Sequence, residues 1–209
     1  MGEVVALVDY GAGNLHSVHN ALRAVGADVT ITADANVVRA ADRIVLPGVG
    51  SFMACAAGLR AIPGMVEAMA ERVQAGGAPF LGICVGMQLL ATRGLEHGET
   101  PGLGWIEGEV RLIEPSDPAI KVPHMGWNDV EILPHARDHV VLDEGEGYFL
   151  HSYHFAAQDP ADVAALTDHG EGLVAAVAKD NVLGVQFHPE KSQKFGLELL
   201  DRFLNWDPK

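Results

Sequence analysis

A cysteine stands between two glycines where an apolar run passes into a helical pattern. Residues 79–92 read PFLGICVGMQLLAT, with Cys84 between Gly82 and Gly86. Flanking glycines permit a tight, strained turn that lifts the central side chain above the end of a strand, as in the G-x-S-x-G elbow of hydrolases. The helix predicted after Cys84 would stabilise a thiolate with its N-terminus. Cys84 is therefore a candidate nucleophile, the alternative being a small buried hydrophobic residue.

A histidine and a glutamate on either side of a proline could serve this nucleophile. In VLGVQFHPEKSQ, His188 is predicted to end a strand, and Pro189 favours an extended backbone at the residue before it. Positions i and i+2 of an extended segment face the same side, so Glu190 is expected beside the imidazole. The carboxylate would orient the ring, and the ring would act as the base for Cys84.

A glycine-rich segment at the end of another predicted strand is a candidate oxyanion site. Residues 46–52 read LPGVGSF, with Val49 between two glycines. Backbone N–H groups in such a segment can turn towards a developing negative charge. An ordinary glycine-rich turn is the alternative and, for this segment alone, the more common case. No phosphate-binding glycine motif occurs at a strand–helix junction.

These three segments need a sheet that brings the ends of strands together. Strands are predicted in VVALVDY, DVTIT, ADRIVLPG and PFLGI, with helices in NLHSVHNALRAVG, over residues 53–60 and 65–74, and after Cys84. This alternation indicates a parallel sheet covered by helices on both faces. From about residue 103, short strand-like segments divided by turn residues predominate, and the last helix is predicted over residues 192–205. We predict one α/β domain, residues 1–209, with a mixed, mostly parallel central sheet flanked by helices.

Composition narrows the class of protein. A chain of 209 residues with 48% hydrophobic and 20% charged residues suits a soluble globular domain. The formal net charge of −14 disfavours nucleic acids and anionic membranes as partners. No apolar run approaches the roughly 20 residues of a membrane span. Two cysteines and a start without a basic leader lead us to expect a cytoplasmic location.

GICVGMQLL, FHPEKSQ and LPGVGSF together resemble the triad-type, or class I, glutamine amidotransferases. DYGAGNLHSV, PHMGWN and HSYHF are similar, within that family, to the glutaminase subunits of histidine biosynthesis. The resemblance runs from the first predicted strand to the last helix and leaves no segment for a fused synthase domain. It implies a flavodoxin-like α/β fold and a Cys84–His188–Glu190 triad that hydrolyses glutamine to glutamate and ammonia through a glutamyl thioester.

The resemblance also implies the surroundings of the substrate. The residues expected there are Val49, Gly50 and Val85 for the oxyanion hole, and Gly50, Gln88, Ser152 and Tyr153 for binding glutamine. No metal ion or organic cofactor is implied.

A partner subunit is implied as well. Ammonia released into neutral water is largely protonated, so it must pass directly to its acceptor in a closed space. The family supplies a cyclase subunit with a (βα)8-barrel fold, which forms a heterodimer with the glutaminase and binds the phosphorylated acceptor. The residues expected at or near that interface are Asn14, Trp127, Tyr148 and Lys191.

Several features keep an ordinary interpretation. The H-x-x-H pairs His16/His19 and His151/His154 have no third ligand at metal-binding spacing, so a metal site is not expected. Cys55 is expected in the core, and Trp127 either in the core or as an interface anchor.

Two other functions remain open. The first is a different triad amidotransferase subunit, such as that of pyridoxal phosphate synthase, which would lack MGWN and carry a Gly-Gly-Glu-Ser run after the third strand. The second is a peptidase-like or non-catalytic relative with the same elbow, which glutamine turnover would distinguish.

Overall fold

The computed structural model describes residues 3–208, so residues 1, 2 and 209 of the predicted domain lie outside it. Its strands are β1 (Val4–Val8), β2 (Asp28–Thr32), β3 (Arg43–Gly48), β4 (Phe80–Cys84), β5 (Arg93–Gly94), β6 (Thr100–Pro101), β7 (Gly108–Leu112), β8 (His124–Ile132), β9 (Gly145–His151), β10 (Tyr153–Ala157), β11 (Val163–Asp168), β12 (Gly172–Lys179) and β13 (Val182–Val185). Its α-helices are α1 (Leu15–Ala24), α2 (Ala35–Ala40), α3 (Phe52–Ala61), α4 (Met65–Ala70), α5 (Val85–Gln88) and α6 (Gln193–Leu204). A π-helical turn, Glu71–Ala75, continues α4, and 3-10 helices cover Pro134–Ala136, Pro160–Asp162 and Pro189–Lys191.

The larger sheet contains nine strands in the order β2-β1-β3-β4-β13-β12-β11-β8-β9. Neighbouring strands are parallel from β2 to β13 and antiparallel from β13 to β9. Strands β1, β3, β4 and β13 are almost wholly apolar and buried, as parallel strands covered on both faces must be. The predicted mixed α/β sheet is confirmed, and its parallel part ends at β13.

The last strand in the sequence occupies the centre of this sheet. β13 pairs with β4 on one side and with β12 on the other. The carboxyl ends of β3, β4 and β13 therefore lie side by side, and ligands of open α/β sheets bind at this edge. β3 ends at Gly48, β4 ends at Cys84, and the chain reaches His188 three residues after β13. The topology thus brings the three candidate segments together.

A smaller sheet, in the order β10-β7-β5-β6, was not predicted. The segment GYFLHSYHFAA divides at Ser152, where the chain leaves β9 in the larger sheet and enters β10 in the smaller one. The alternation of apolar and polar residues is similar before and after this break. The pattern therefore predicts two strands but not that they belong to different sheets.

The helix predicted after Cys84 is only one turn long. α5 ends at Gln88, whereas the apolar pattern continues through Leu90. The carbonyl of Leu89 accepts a hydrogen bond from the N–H of Leu103 at 2.7 Å, and that of Leu90 accepts one from Ile106 at 3.1 Å. Because the loop before β7 donates hydrogen bonds to these carbonyls, they do not accept the next helical hydrogen bonds, and the helix ends.

Helix ends are set by local side chains. Ser51 caps α3 by accepting a hydrogen bond from the N–H of Ala54 at 3.2 Å. Gly26, the predicted stop of α1, follows the helix with φ +91°. Helix α2, absent from the sequence prediction, is capped by Asp34, whose side chain accepts a hydrogen bond from the N–H of Asn36 at 2.8 Å.

Across residues 3–208, no single helix is long and apolar enough to cross a membrane. One bent pair, α3 with the helical run from Met65 to Ala75, passes the same test of length and composition jointly, with an angle of 93° between its halves.

Candidate functional site

Cys84 occupies a strained backbone position at the junction of β4 and α5. Its φ of 54° and ψ of −112° place a non-glycine residue where L-amino acids are rarely found. The strained turn expected between the glycines is present, and its unusual angles belong to Cys84, because neither Gly82 nor Gly86 has a positive φ. They are needed for space: a Cβ on Gly82 would lie 2.7 Å from the Gly86 carbonyl oxygen, and one on Gly86 would lie 1.8 Å from that of Leu46.

Two polar side chains from the segment after β13 contact the Cys84 sulfur. Gln186 is fully buried and donates a hydrogen bond from Nε2 to Sγ at 3.6 Å. The imidazole of His188 also lies close enough to this sulfur to interact with it, and this interaction raises the pKa of the ring. Gln186 was not predicted as a site residue, although it lies two residues before His188, a spacing that places alternate side chains of an extended segment on one side.

His188 and Glu190 form a buried pair. Their side chains are 3% and 1% exposed, and Nδ1 of the imidazole lies 2.9 Å from Oε1 of the carboxylate. The extended backbone expected at His188 is present, with φ −100° and ψ 96°. Glu190 itself, however, lies in the 3-10 helix Pro189–Lys191, so a helical turn and not an extended segment creates the contact. Within the described chain, Oε2 of Glu190 has no hydrogen-bond partner.

The charge state of His188 follows from these neighbours. Burial lowers the pKa of this imidazole, but hydrogen bonds to Cys84 and Glu190, together with their negative charges, raise it to about 9. Nδ1 faces Glu190, which leaves Nε2 for the sulfur. At neutral pH the site therefore holds an imidazolium between a carboxylate and a cysteine sulfur.

A cavity of about 170 Å³ opens onto Cys84 and His188. Its lining includes every residue predicted for the oxyanion hole or for glutamine binding, namely Val49, Gly50, Val85, Gln88, Ser152 and Tyr153. It also includes Lys191, predicted for the interface, and three residues without a predicted role, Glu96, Leu150 and His151. The structure therefore gathers the predicted substrate residues around one cavity beside the Cys84–His188 contact.

Glu96 places a carboxylate in the wall of this cavity. Its Oε2 accepts a hydrogen bond from the N–H of Phe52 at 2.7 Å, at the start of α3. The residue lies in the loop between β5 and β6, two strands that the sequence analysis did not predict. Without these strands no sequence signal related Glu96 to Cys84.

Gln88 is held by its amide nitrogen. Nε2 donates to the backbone carbonyl of Tyr153 at 3.0 Å and to Oε1 of Gln186 at 2.9 Å. Both protons of the amide are thereby used. The carbonyl oxygen Oε1 of Gln88 remains as the group available to a ligand.

A directional chain of hydrogen bonds reaches the cavity wall from β8. Nδ2 of Asn128 lies 3.0 Å from Nε2 of His124, Nδ1 of His124 lies 2.9 Å from Nε2 of His151, and Nδ1 of His151 lies 2.9 Å from the Tyr153 carbonyl oxygen. The amide nitrogen can only donate and the carbonyl can only accept, so both imidazoles are neutral and carry their proton on Nδ1. Burial lowers the pKa of His124 to about 4 and that of His151 to about 3.

This histidine pair predicts acid sensitivity. The ordinary histidine pKa is 6.5, so below that pH the unfolded chain binds protons that the folded pair does not bind. The stabilisation is complete above pH 6.5 and is lost as the pH falls towards about 4, with a slope of at most about 1.4 kcal/mol per pH unit for each histidine. Urea unfolding at neutral pH and at about pH 5 measures the free energy of unfolding.

In this test, the free energy of unfolding should differ less between the two pH values in His124→Gln than in the wild type. His97→Gln, at an exposed loop position, should leave that difference as in the wild type. An unaltered pH dependence in His124→Gln would contradict the assignment of the acid-sensitive pair.

Of the residues predicted for a partner interface, Trp127 and Lys191 are exposed, and Asn14 and Tyr148 are half-buried. Trp127 is 47% exposed, which excludes the core alternative, and its ring lies 5.9 Å from that of Tyr148 across the β8–β9 pair. Nζ of Lys191 lies 5.7 Å from the centre of the Tyr148 ring. Asn14 precedes α1, which packs against the 3-10 helix that ends at Lys191. We call Asn14, Trp127, Tyr148 and Lys191 the rim residues.

Neither H-x-x-H pair belongs to a metal-binding group in residues 3–208. No cluster of three or more histidine, cysteine, aspartate or glutamate side chains there is arranged to hold a metal ion. The side chains around Cys84 can act as nucleophile, base and hydrogen-bond donors without one.

Comparison with known proteins shows strong similarity over nearly the whole chain. Residues 6–206 match the family described as Glutamine amidotransferase class-I. The "Imidazole glycerol phosphate synthase subunit HisH" of Zymomonas mobilis is 55% identical over 207 residues, covering 98% of this chain and 96% of that protein. The protein of the same name from Caulobacter vibrioides is 53% identical over 213 residues, and the match covers 99% of this chain and 100% of that protein.

Solved structures share the fold at lower sequence identity. A "glutamine amidotransferase" crystal structure superposes with a TM-score of 0.71 at 21% identity, covering 95% of this chain and 99% of that one. The structure of "PurLQS from Thermotoga maritima" gives a TM-score of 0.69 at 19% identity, covering 98% of this chain and 99% of the other. At these identities the likeness concerns the fold alone.

Proposed function

Because this chain belongs to the class I glutamine amidotransferase family, we propose that it is the glutaminase subunit of an imidazole glycerol phosphate synthase and acts through Cys84, His188 and Glu190. One observation carries the catalytic part of this proposal: a strained cysteine at a cavity floor contacts a buried imidazole that is paired with a buried carboxylate. The identity of 55% to a relative with that name supports the choice of pathway over the pyridoxal phosphate alternative.

The first half of the reaction forms a thioester. The Cys84 thiolate attacks the side-chain carboxamide carbon of glutamine, and the carbonyl oxygen becomes an oxyanion. Backbone N–H groups of Val49 or Gly50 and of Val85 would stabilise this charge. His188, positively charged because its pKa is about 9, gives its proton to the departing nitrogen, which leaves as ammonia.

The second half of the reaction needs a base, and the same imidazole supplies it. Once Cys84 is acylated its negative charge is gone, and with it part of what raises the pKa of His188. The neutral imidazole then takes a proton from water, whose oxygen attacks the thioester carbon. Glutamate leaves, and the thiolate–imidazolium pair is restored. Glu190 keeps the ring oriented throughout through the Nδ1 contact.

Substrate recognition is assigned to the remaining walls of the cavity. Oε1 of Gln88 would accept a hydrogen bond from the substrate, with Gly50, Ser152 and Tyr153 around it. The Glu96 carboxylate is suited to the substrate's α-ammonium group, because opposite charges pair strongly in a partly enclosed site.

The proposal includes a partner. A (βα)8-barrel cyclase would dock on the rim residues, receive ammonia and produce imidazole glycerol phosphate and the aminoimidazole carboxamide ribotide. Exposed aromatic residues are typical anchors of interfaces, and Lys191 belongs both to the rim residues and to the cavity wall.

Both cysteines are buried and not bonded to each other, which suits the reducing cytoplasm that we propose as the location of this protein.

One assay tests this function. Glutamate release is measured for the subunit alone, for its complex with the barrel cyclase, and for the complex with acceptor ligand bound. We expect release by the complex with the acceptor. Hydrolysis of peptides without glutamine turnover would instead favour a peptidase-like relative.

The same assay tests control by the loop of residues 47–50, called the 47–50 loop. Cys84 and His188 are rigidly held, whereas Val49 is 41% exposed and lies between two glycines, so the peptide that carries the Val49 N–H can reorient. One missing oxyanion donor costs roughly 10²–10³ in rate, and a partner that binds the productive orientation more tightly restores it. The isolated subunit should therefore be slower than the complex by about that factor. Full activity of the subunit alone would exclude this control.

A further inference from the structure

Two buried side chains outside the cavity hold the 47–50 loop from behind. Tyr10, 6% exposed, donates from its hydroxyl to the carbonyl oxygen of Pro47 at 2.6 Å. Cys55, fully buried in α3, donates from its thiol to the carbonyl oxygen of Val49 at 3.4 Å. Tyr10 and Cys55 thus join the ends of β1 and α3 to alternate carbonyls of the loop.

Holding a carbonyl also fixes the next N–H group. A peptide unit is planar and trans, so the carbonyl of one residue and the N–H of the following residue point in opposite directions. The Val49 carbonyl points at Cys55, which lies behind the loop and does not line the cavity. The N–H of Gly50 therefore points away from Cys55, on the side where Gly50 lines the cavity next to Cys84.

We propose that Tyr10 and Cys55 are positioning residues for the oxyanion hole, which fix the 47–50 loop by its Pro47 and Val49 carbonyls and keep the Gly50 N–H directed at the cavity. The inference rests on the proposed glutaminase function, because an oxyanion forms only if Cys84 attacks a carbonyl carbon. Neither residue touches the substrate in this assignment.

Packing and protonation both suit this role. A Cβ on Gly58 of α3 would lie 2.7 Å from the Tyr10 carbonyl oxygen, and one on Gly48 would lie 2.8 Å from the Tyr10 hydroxyl. The tyrosine is therefore enclosed between α3 and the end of β3 and has little freedom to move. Burial raises the pKa of Tyr10 and that of Cys55, so both groups keep the protons that they donate.

A serine and an alanine at residue 55 separate hydrogen bonding from packing. Both variants remove the sulfur and nearly the same volume, but only Cys55→Ser keeps a donor for the Val49 carbonyl. In the complex with the cyclase, Cys55→Ala should lower kcat for glutamate release by roughly three- to tenfold, the equivalent of one hydrogen bond. KM should remain unchanged, since the oxyanion exists only in the transition state and the intermediate. Tyr10→Phe should act in the same direction, and Cys55→Ser should stay near the wild type.

A second measurement distinguishes this role from a general loss of structure. Alkylation of Cys84 by iodoacetamide, followed by mass spectrometry of its peptide, requires the thiolate but no oxyanion donor. Its rate should be equal in the wild type, Cys55→Ala and Tyr10→Phe. Equal losses of kcat in Cys55→Ala and Cys55→Ser, or alkylation that falls together with kcat, would overturn the inference.

The two proposals fail in different ways. An active wild-type complex in which Cys55→Ala and Tyr10→Phe retain full kcat would overturn the positioning role alone. A wild-type complex that releases no glutamate would overturn the proposed function, and this inference with it.

Discussion

Cys84→Ser is expected to reduce glutamate release by the complex to background while the fold is retained. A serine hydroxyl fits the same space but does not ionise beside an imidazolium, so the first bond to the substrate does not form. Removal of a nucleophile in comparable hydrolases costs about 10⁴–10⁶ in kcat. Glutamate formation in the purified complex measures the loss, and the melting temperature verifies the fold.

Cys55→Ser is the matched control for this substitution. It makes the same chemical change in the other buried cysteine of the chain and should leave turnover near the wild-type rate. Comparable turnover in the wild type and Cys84→Ser would remove Cys84 from the mechanism.

His188→Ala should produce a loss of the same order, about 10⁴–10⁶ in kcat. Without the imidazole, the leaving nitrogen receives no proton and the thioester water has no base. Glu190→Gln should be slower than the wild type but measurably active, since it keeps the shape of the side chain and loses its charge. His135→Ala, at an exposed position outside the cavity lining, is the control and should be fully active.

The pH profile tests the same pair. The wild-type rate should fall as the pH rises through about 9, where the His188 imidazolium loses its proton. In Glu190→Gln this fall should begin at lower pH, because the carboxylate is one of the groups that raise the histidine pKa. Identical alkaline limbs in both proteins would contradict the role of Glu190.

The sequence was sufficient for the parts of the site that depend on short segments. Apolar runs that end in glycine or in His-Pro predicted the strands β3, β4 and β13 and the residues that follow them. The common edge of these strands then placed Val49, Cys84 and His188 together. Parallel strands are bound to present their carboxyl ends on one side, so this part of the prediction needed no knowledge of side-chain contacts.

What the sequence did not predict depends on long-range packing. Glu96 reaches the cavity from a loop of the smaller sheet, and the break at Ser152 that creates this sheet has no signal in the apolar pattern. The contact of His188 with Glu190 was expected from extended geometry, but a 3-10 turn produces it. Cys55 was assigned to the core from its small, apolar surroundings, which gave no indication of its bond to the Val49 carbonyl.

The central position of β13 also decides when during synthesis the site can exist. A ribosome delivers β4 and Cys84 roughly 100 residues before the strand that must pair with them, and at ~5–20 residues per second this takes several seconds or more. During that time the nascent chain has a cysteine without its imidazole, and β4 presents an open edge to other chains. Closure of the sheet by β13 covers this edge and delivers His188 in the same event. The pairing of β13 with β4 is therefore the one folding step that both protects the chain from aggregation and completes the catalytic site.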